Sequence, residues 1–371
     1  MLALNNHYLL YFILQEIFHI TTRAQVYGIF ISEFYNNFTV NTLTQGISLI
    51  SVIVPTKDNE KTIGALLESL RKQEYRDFEV IIVDSSSDST PLIASKYTFT
   101  KLLKIPPVGA NAARNLGVKN AKGEIIVFTD GDCRVPPDWL KKILEFFEKN
   151  KTVDVVGGSV YTAKELRGNL IADYYNEALW PMMPIYPSEA KVTKENFHKI
   201  RVPNSNNLAF RRRVFDEGFL FNEEFKGGYE ETELLWRLCL RGYDIRVFPK
   251  IVVEHFHTKS LRNLLRRAFS YGRGHYLFYL KYRDCPLALY GMLSAIAICL
   301  FDILLILATL ANWWHVFLVI PLAYSVLVAL YFRKIRRLRS LTYPLLDFIF
   351  YTVMALGVFK GVVDYSILHR S

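Results

Sequence analysis

The residues most able to do chemistry are two aspartates, Asp130 and Asp132, separated by Gly131 and delivered by the apolar run Glu124-Ile-Ile-Val-Phe-Thr129. That run reads as a short buried strand. Both carboxylates then stand at its carboxyl end, the edge of an open α/β sheet where ligands bind. Two carboxylates on a tight turn can hold a divalent cation, which can in turn hold a diphosphate. A solvated Asp-Gly turn is the plain alternative. A second acidic group, Glu230, Glu231 and Glu233, follows Gly227 and Gly228 at the start of a helical pattern. Acids in a first turn stabilise any helix, and Glu233 with Arg237 is an i,i+4 pair.

Other candidates sit at comparable places. Asp84 ends the apolar run Phe78–Val83, where it can accept hydrogen bonds from a nucleobase or ribose, or simply open the serine-rich turn that follows. Gly109–Gly117 starts a helix with small residues and sets Arg114 and Asn115 near its middle, where an arginine can meet phosphate or base edges. Asn204 and Asn206 lie in the small polar stretch Val202–Arg211, which equally reads as a polar turn. His255 and His257 follow the strand-like Asp244–Phe248, a position where histidine is commonly just packed.

The elements that must position these groups alternate. Ser48–Pro55 is a β-branched strand, Asn59 to Tyr75 has helical spacing, Phe78–Val83 is a strand, and a helix begins at Pro91–Lys96. Gly109–Ala121 is a further helix and Glu124–Thr129 a further strand. Such alternation predicts an α/β domain built on a parallel sheet.

Four segments in this order, Val52-Ile-Val-Pro-Thr56, Val80-Ile-Ile-Val-Asp84, Ala113-Arg-Asn-Leu-Gly117 and Phe128-Thr-Asp-Gly-Asp132, resemble the nucleotide-sugar half of family-2 glycosyltransferases. The resemblance runs from about Ser48 to His257. It implies the GT-A fold, with a mostly parallel sheet flanked by helices. It also implies a donor site of Pro55, Asp84, Arg114, Asn115 and Asp130, with Asp84 at the base and Asp130 near the ribose. Asp132 would ligate Mg²⁺ or Mn²⁺ on the diphosphate, with His257 as a further ligand and His255 in reserve. Asn204, Asn206, Glu233 and Arg237 would face the sugars. The family places Glu-Asp at the head of the acidic helix, the second carboxylate serving as base. Here Glu231 stands where Asp is usual, with Glu230 as the alternative.

The rest of the chain speaks of a membrane. The 371 residues are half hydrophobic and carry a formal net charge of +10. The excess lies at Arg262–Arg273 and Arg333–Arg339, both beside apolar segments, which favours membrane lipids over nucleic acid as the partner. Leu287–Leu310, Trp313–Phe332 and Tyr343–Tyr365 each approach the ~20 apolar residues a span needs, with aromatic ends. Asp302 and Asp347 inside them must be protonated, paired or turned toward another helix. By the positive-inside rule the loop 333–339 is cytoplasmic, and with it the domain before residue 286. Ser260–Lys281 reads as a basic amphipathic helix at the membrane surface. Cys133, Cys239, Cys285 and Cys299 have neither pairing nor metal-ligand spacing and read as free thiols. Tyr8–Ile20 is apolar but interrupted by Gln15, Glu16 and His19, without a basic leader.

The expected organisation is an apolar N-terminal segment (1–46), a GT-A domain (47–258), an interfacial helix (259–285) and three transmembrane helices (286–371). The expected function is an inverting, metal-dependent glycosyltransferase, integral to the membrane with its catalytic domain cytoplasmic. It moves a sugar from a nucleoside diphosphate sugar to a hydroxyl of a lipid-linked acceptor. The alternatives are sugar transfer to a polyprenyl phosphate and a non-catalytic membrane scaffold. A processive synthase would carry Gln-x-x-Arg-Trp after the acidic helix. Arg267-Ala-Phe-Ser-Tyr-Gly-Arg273 stands there instead.

Overall fold

The computed structural model describes residues 49–314 and 319–367; the apolar stretch 8–20 and the rest of the segment 1–46 lie outside them. The strands are β1 (Ile50–Thr56), β2 (Phe78–Asp84), β3 (Thr100–Lys104), β4 (Ile125–Phe128), β5 (Cys133–Arg134), β6 (Val155–Thr162), β7 (Ala190–Val192), β8 (Leu208–Arg211) and β9 (Ile245–His255). They form one sheet in the order β3-β2-β1-β4-β8-β6-β9-β5, with β7 also on β9. The β3-β2-β1-β4 half is parallel. Beyond β4 the directions mix: β8 runs antiparallel to both β4 and β6, while β6 and β9 are parallel. A parallel sheet is therefore only half the answer. The reason is that β8 follows a long excursion after β6 and re-enters the sheet between β4 and β6.

The parallel strands are apolar on both sides because helices cover both faces. Ile53, Ile81, Val83, Ile126 and Phe128 point into one core, while Ile50, Val52, Val54, Val80, Ile82 and Val127 point into the other. The second core is closed by α1 (Ile63–Arg71) and α4 (Trp139–Lys149), and the first includes α3 (Ala110–Asn120), α6 (Arg213–Asp216) and α7 (Glu230–Leu240). Between β2 and β3 stands the short α2 (Thr90–Ala94). Because β2 lies on one side of β1 and β4 on the other, the chain changes winding direction at β1, and the carboxyl ends of these three strands open a crevice.

The strand-like Asp244–Phe248 continues to His255. The ladder with β6 slips between Gly158 and Ser159, so Phe248 faces Gly158 and Val252 faces Ser159. The bulge absorbs Pro249 and lets β9 run on to the site.

The C-terminal part is helical: α8 (Leu261–Lys281), α9 (Pro286–Leu310), α10 (Val319–Ile335) and α11 (Tyr343–Val362), the last extended by a π-helical turn to Ile367. Among the described residues, Pro286–Leu310 and Tyr343–Ile367 are long and apolar enough to cross a membrane. The middle helix has 17 described residues, and residues 315–318 before it are not described. Helix α8 packs closely on α11 through glycines. A Cβ at Gly357 would lie 2.1 Å from the Phe269 carbonyl oxygen, and one at Gly272 would lie 2.0 Å from that of Met354. Helix α5 (Leu170–Glu177) meets α11 and the loop before it. Tyr174 and Tyr331 donate to the two oxygens of Asp347 at 2.5 and 2.7 Å. Asp302 accepts from Thr352 on α11 at 3.2 Å, so both intramembrane-type carboxylates have partners on another element.

Candidate active site

The ends of β2 and β4 supply the aspartates, beside the end of β1. Asp84 closes β2 opposite Thr56 at the end of β1. It is buried, and its Oδ1 accepts from Thr56 Oγ1 at 2.8 Å and Ser86 Oγ at 2.6 Å. Pro55 is one residue before Thr56 in β1 and partly buried. Asp130 stands two residues past β4, where Arg114 Nη2 meets its Oδ1 at 3.2 Å. Arg114 is itself buried, braced by Asn111 Oδ1 at 3.2 Å and lying over the Phe221 ring, with its Nε left unpartnered. Gly131 is needed for close approach: a Cβ there would lie 2.9 Å from Asn59 Oδ1 and 3.0 Å from Thr56 Cγ2.

Asp132 gains its neighbour from far along the chain. β5 pairs antiparallel with the end of β9, setting Cys133 opposite His255. The Phe256 N–H donates to the Asp132 carbonyl at 2.8 Å, and His255 Nε2 lies 3.3 Å from Asp132 Oδ1. Asp132, Cys133 and His255 present ligand atoms within 4.8 Å of one another. Burial, then the charges of Asp132 and Asp130, push the Cys133 thiol well up, and its soft sulfur suits Mg²⁺ or Mn²⁺ less than oxygen or nitrogen does. The carboxylate and imidazole fit a cation better. Two ligands at right angles with bonds near 2.1 Å stand roughly 3 Å apart, close to the observed separation.

His257 lies one layer behind. Its ring stacks on His255 at 4.4 Å and on Tyr175 at 4.3 Å, nearly parallel to the latter, and Arg267 sits over Tyr175 at 5.8 Å. Burial holds the His257 imidazole well below its usual range, so it is neutral, and neither ring nitrogen has a hydrogen-bond partner. The structure thus sets His255, not His257, against Asp132, and builds a column from Arg267 to the carboxylate.

Glu230 and Glu231 head α7. The residue before them, Tyr229, has φ 67°, the left-handed region that costs a bulky side chain of order 1–3 kcal/mol. Its surroundings hold it there. The His275 ring takes Tyr229 Oη at Nδ1 (2.7 Å) and the Ala288 carbonyl at Nε2 (3.0 Å). A carbonyl only accepts, so Nε2 carries the proton and Nδ1 accepts from the tyrosine hydroxyl. Burial lowers His275 to about 4, which keeps that neutral form. Gly274 of α8 passes so near that a Cβ would lie 2.6 Å from the Gly228 carbonyl oxygen. Glu230 accepts from the Gly227 N–H at 2.7 Å. Burial, then the charge of Glu230, pushes Glu231 up to about 7, while Arg114 pulls it down and Asp130 adds to the rise. Glu231 therefore shares an electrostatic environment with the Asp130 turn. Arg267 feels Asp132 and Asp130, and Tyr271, one turn on, feels Glu231 and Glu230.

Residues 51–219 match the family model Glycosyl transferase family 2. The chain carries a family-2 glycosyltransferase domain. Glycosyltransferase AglE of Haloferax volcanii is 28% identical over 241 residues, covering 62% of this chain and 74% of that one. Poly(ribitol-phosphate) beta-N-acetylglucosaminyltransferase TarS of Staphylococcus aureus is 38% identical over 259 residues, 60% of this chain and 44% of that one. The chain thus spans less than half the length of that relative. A Methanococcus voltae protein named dolichyl N-acetyl-alpha-D-glucosaminyl phosphate 3-beta-D-2,3-diacetamido-2,3-dideoxy-beta-D-glucuronosyltransferase is 22% identical and matches over 85% of this chain and 98% of its own. Among solved structures, mannosyltransferase PcManGT from Pyrobaculum calidifontis, in complex with GDP-Man and Mn²⁺, superposes with a TM-score of 0.52 at 19% identity. It covers 90% of this chain and 94% of that one, a likeness of fold.

Within the glycosyltransferase domain the remaining candidates separate. Asn204 precedes and Asn206 lies within a single 3₁₀ turn, Ser205–Asn207, before β8, and among the described residues each has a buried side-chain oxygen without a partner, so both keep acceptors for a ligand. Asn115 does not: its amide bonds Phe221 N–H, the Phe221 carbonyl and Glu223, which clamps the 221–223 loop. Glu233 and Arg237 pair with each other at 2.9 and 3.0 Å. Tyr282 donates to the same carboxylate at 2.6 Å, and Arg237 also donates to the Leu220 carbonyl. Their polar atoms are spent on holding α7 to α8 and the 220 loop, a placement that suits support better than sugar contact. Sequence reasoning missed Tyr175, His275 and the inward role of Arg267. Only the spacing of Arg267 and Tyr271, one turn apart within a basic helix, hinted at it.

Proposed function

We propose that this glycosyltransferase moves a sugar, with inversion, from a nucleoside diphosphate sugar to a hydroxyl of a lipid-linked acceptor at the cytoplasmic membrane face. Glu231 carries the reading: a general base works best with a pKa near the operating pH, and burial beside Glu230 brings this one to about 7. The Glu231 carboxylate takes the hydroxyl proton as the acceptor oxygen bonds to the anomeric carbon. The bond from that carbon to the diphosphate oxygen breaks on the opposite face, and its electron pair leaves with the nucleoside diphosphate. Asp84 and Asp130 bind base and ribose, with Asp130 fixed by Arg114. Asp132 and His255 would hold Mg²⁺ or Mn²⁺, which would supply Lewis-acid stabilisation of the diphosphate. The column of His257, Tyr175 and Arg267 behind His255 keeps that imidazole in place. An anionic polyprenyl phosphate acceptor needs no base, so the tuned Glu231 favours a hydroxyl.

Two observations support the membrane. Helix α9 is apolar along its length yet only 11% buried in its most apolar window, whereas the core helix of a soluble domain is mostly covered. Its exposed Leu293, Ile296, Leu300, Leu304 and Leu307 need an apolar medium. The basic loop after α10 meets the catalytic domain: Arg339 pairs with Asp173 and Glu177, and Lys334 donates to the Ala178 carbonyl. This contact supports a shared membrane face for loop and domain, and the positive-inside rule favours the cytoplasmic one. The acceptor named for the Methanococcus voltae relative is a dolichyl-linked sugar phosphate, which supports a lipid-linked acceptor here. The test is a panel of labelled nucleotide sugars incubated with Mn²⁺ and membranes containing the protein. Label should enter the lipid extract, and Glu231→Gln should stop it. Label found only in water-soluble product, or transfer unaffected by the substitution, would overturn the reading.

A further inference from the structure

His275 is a fully buried titratable group that the proposed reaction does not use. Three helices meet at its ring. It stands on α8, its Nδ1 accepts from the Tyr229 hydroxyl before α7 at 2.7 Å, and its Nε2 donates to the Ala288 carbonyl in the first turn of α9 at 3.0 Å. Helix α9 is cut away for this approach: a Cβ at Gly291 would lie 2.1 Å from His275 Cε1. The position of Tyr229 is equally particular. Its backbone is left-handed, at φ 67°, where glycine or asparagine sits with less strain. A tyrosine is kept there instead, its ring stacked on Phe278 at 5.4 Å and its hydroxyl aimed at the imidazole. The Tyr229 carbonyl accepts the Glu233 N–H at 3.0 Å, so this residue opens α7 and sets the direction in which Glu230 and Glu231 leave the turn.

The structure assigns His275 the role of a positioning residue for the base. Through Tyr229 its ring pins the first turn of α7, and through Ala288 it ties that turn to the foot of the membrane-type helix α9. The inference rests on Glu231 as the base proposed above. Packing alone needs only an apolar ring of this size; two directed hydrogen bonds fix an orientation as well. A reacting group displaced by about 1 Å can lose roughly 10²-fold in rate, so a clasp two residues from the carboxylate bears on kcat. Among the described residues neither His275 nor the Tyr229 side chain bonds Asp84, Asp130 or Asp132, so nucleotide binding is spared.

The test uses the full chain in membranes, with Mn²⁺ and the labelled nucleotide sugar that labels the lipid extract. Tyr229→Phe keeps the ring on Phe278 and removes only the hydroxyl. It should lower kcat by about 10–10²-fold with the donor KM within about twofold. Mn²⁺-dependent binding of UDP or GDP, read by calorimetry on the purified full chain, should stay unchanged and shows that the variant folds. The pH profile separates positioning from stability. Glu231 feels Glu230 beside it, Asp130 and Arg114, and Tyr271 and Tyr186, all of which the substitution keeps. A loosened turn lets water reach the Glu231 carboxylate, so the acidic limb of kcat/KM should move below its wild-type place near pH about 7. A general loss of stability would leave the limb where it was. His275→Asn keeps an acceptor where Nδ1 stands, and His275→Gln keeps a donor where Nε2 stands, so the asparagine variant should retain more of kcat. Wild-type kcat in Tyr229→Phe, an unmoved limb, or the reverse order of the two His275 variants would each overturn the inference. If Glu231→Gln stops transfer while the clasp variants behave like wild type, the clasp is wrong and the base stands. If Glu231→Gln leaves transfer intact, both fall.

Discussion

Two acidic clusters lie in this molecule, and they are finished differently. On α5 and α11, Asp173, Glu177 and Asp347 are met by Arg339, Tyr343, Tyr174 and Tyr331. Every one of these carboxylates has a donor from the facing element. At the strand ends Asp132 has one imidazole at 3.3 Å, and at the head of α7 Glu231 is left with enough burial and like charge to hold its proton up to about 7. The same residue types thus serve cohesion in one place and, in the proposed function, chemistry in the other. The difference lies in whether the fold supplies the counter-charge itself or leaves it to a ligand.

The largest effect that tests this contrast is at Glu231. Glu231→Gln should lower kcat with a hydroxyl acceptor by about 10²–10⁴-fold while nucleoside diphosphate binding persists, since a base is lost and a shape kept. Steady-state kinetics beside calorimetry would show it, and an unchanged kcat would place Glu231 with the structural carboxylates. The converse substitution is Arg339→Ala. It leaves Asp173 without its cation at a covered interface, while Glu177 keeps Tyr343 and Arg337, and should cost about 3 kcal/mol, read as a lower melting temperature in detergent. Nucleotide affinity should not move; a selective loss of it would make the α5 cluster part of the site.

The two histidines sharpen the contrast further. His255→Ala should weaken Mn²⁺-dependent nucleoside diphosphate binding by roughly 10–100-fold, and His257→Ala, which removes only a stacked neighbour, should weaken it less. The reverse order would return the ligand role to His257. The mildest prediction concerns pH. As a base, Glu231 must be ionised, so kcat/KM should fall about tenfold per unit below pH about 7. Its folded pKa lies above the ordinary 4.5, so between those values the folded chain binds more protons than the unfolded one. The stability from this group is therefore full below about 4.5 and lost as pH rises through about 7. Melting curves of Glu231→Gln should lack that decline, and a decline of equal size in the variant would assign it to another group.

How much of this could be read in advance depends on distance along the chain. β1, β2 and β4 and the helices between them follow from apolar period and length, because local pattern and burial on both faces agree. β3, Thr100-Lys-Leu-Leu-Lys104, has no fully buried residue and little apolar signal, and only its pairing with β2 makes it a strand. The mixed half of the sheet also escaped, since β8 joins β4 and β6 across long separations that periodicity does not encode.

The sequence by itself determined which chemistry is available: an Asp-Gly-Asp turn ending a buried strand, an acidic helix start after two glycines, and apolar segments of membrane length. Those are short-range facts, set by residue type and spacing. Tertiary structure alone decided how each group is used. The β5–β9 register set His255, and not His257, beside Asp132. The Tyr229–His275 clasp set the angle of the Glu230-Glu231 turn. Arg237 and Tyr282 closed off Glu233, while among the described residues no cation forms an ion pair with Glu231. Each of those outcomes depends on partners dozens of residues away, and a carboxylate's pKa and role follow from what the fold brings beside it.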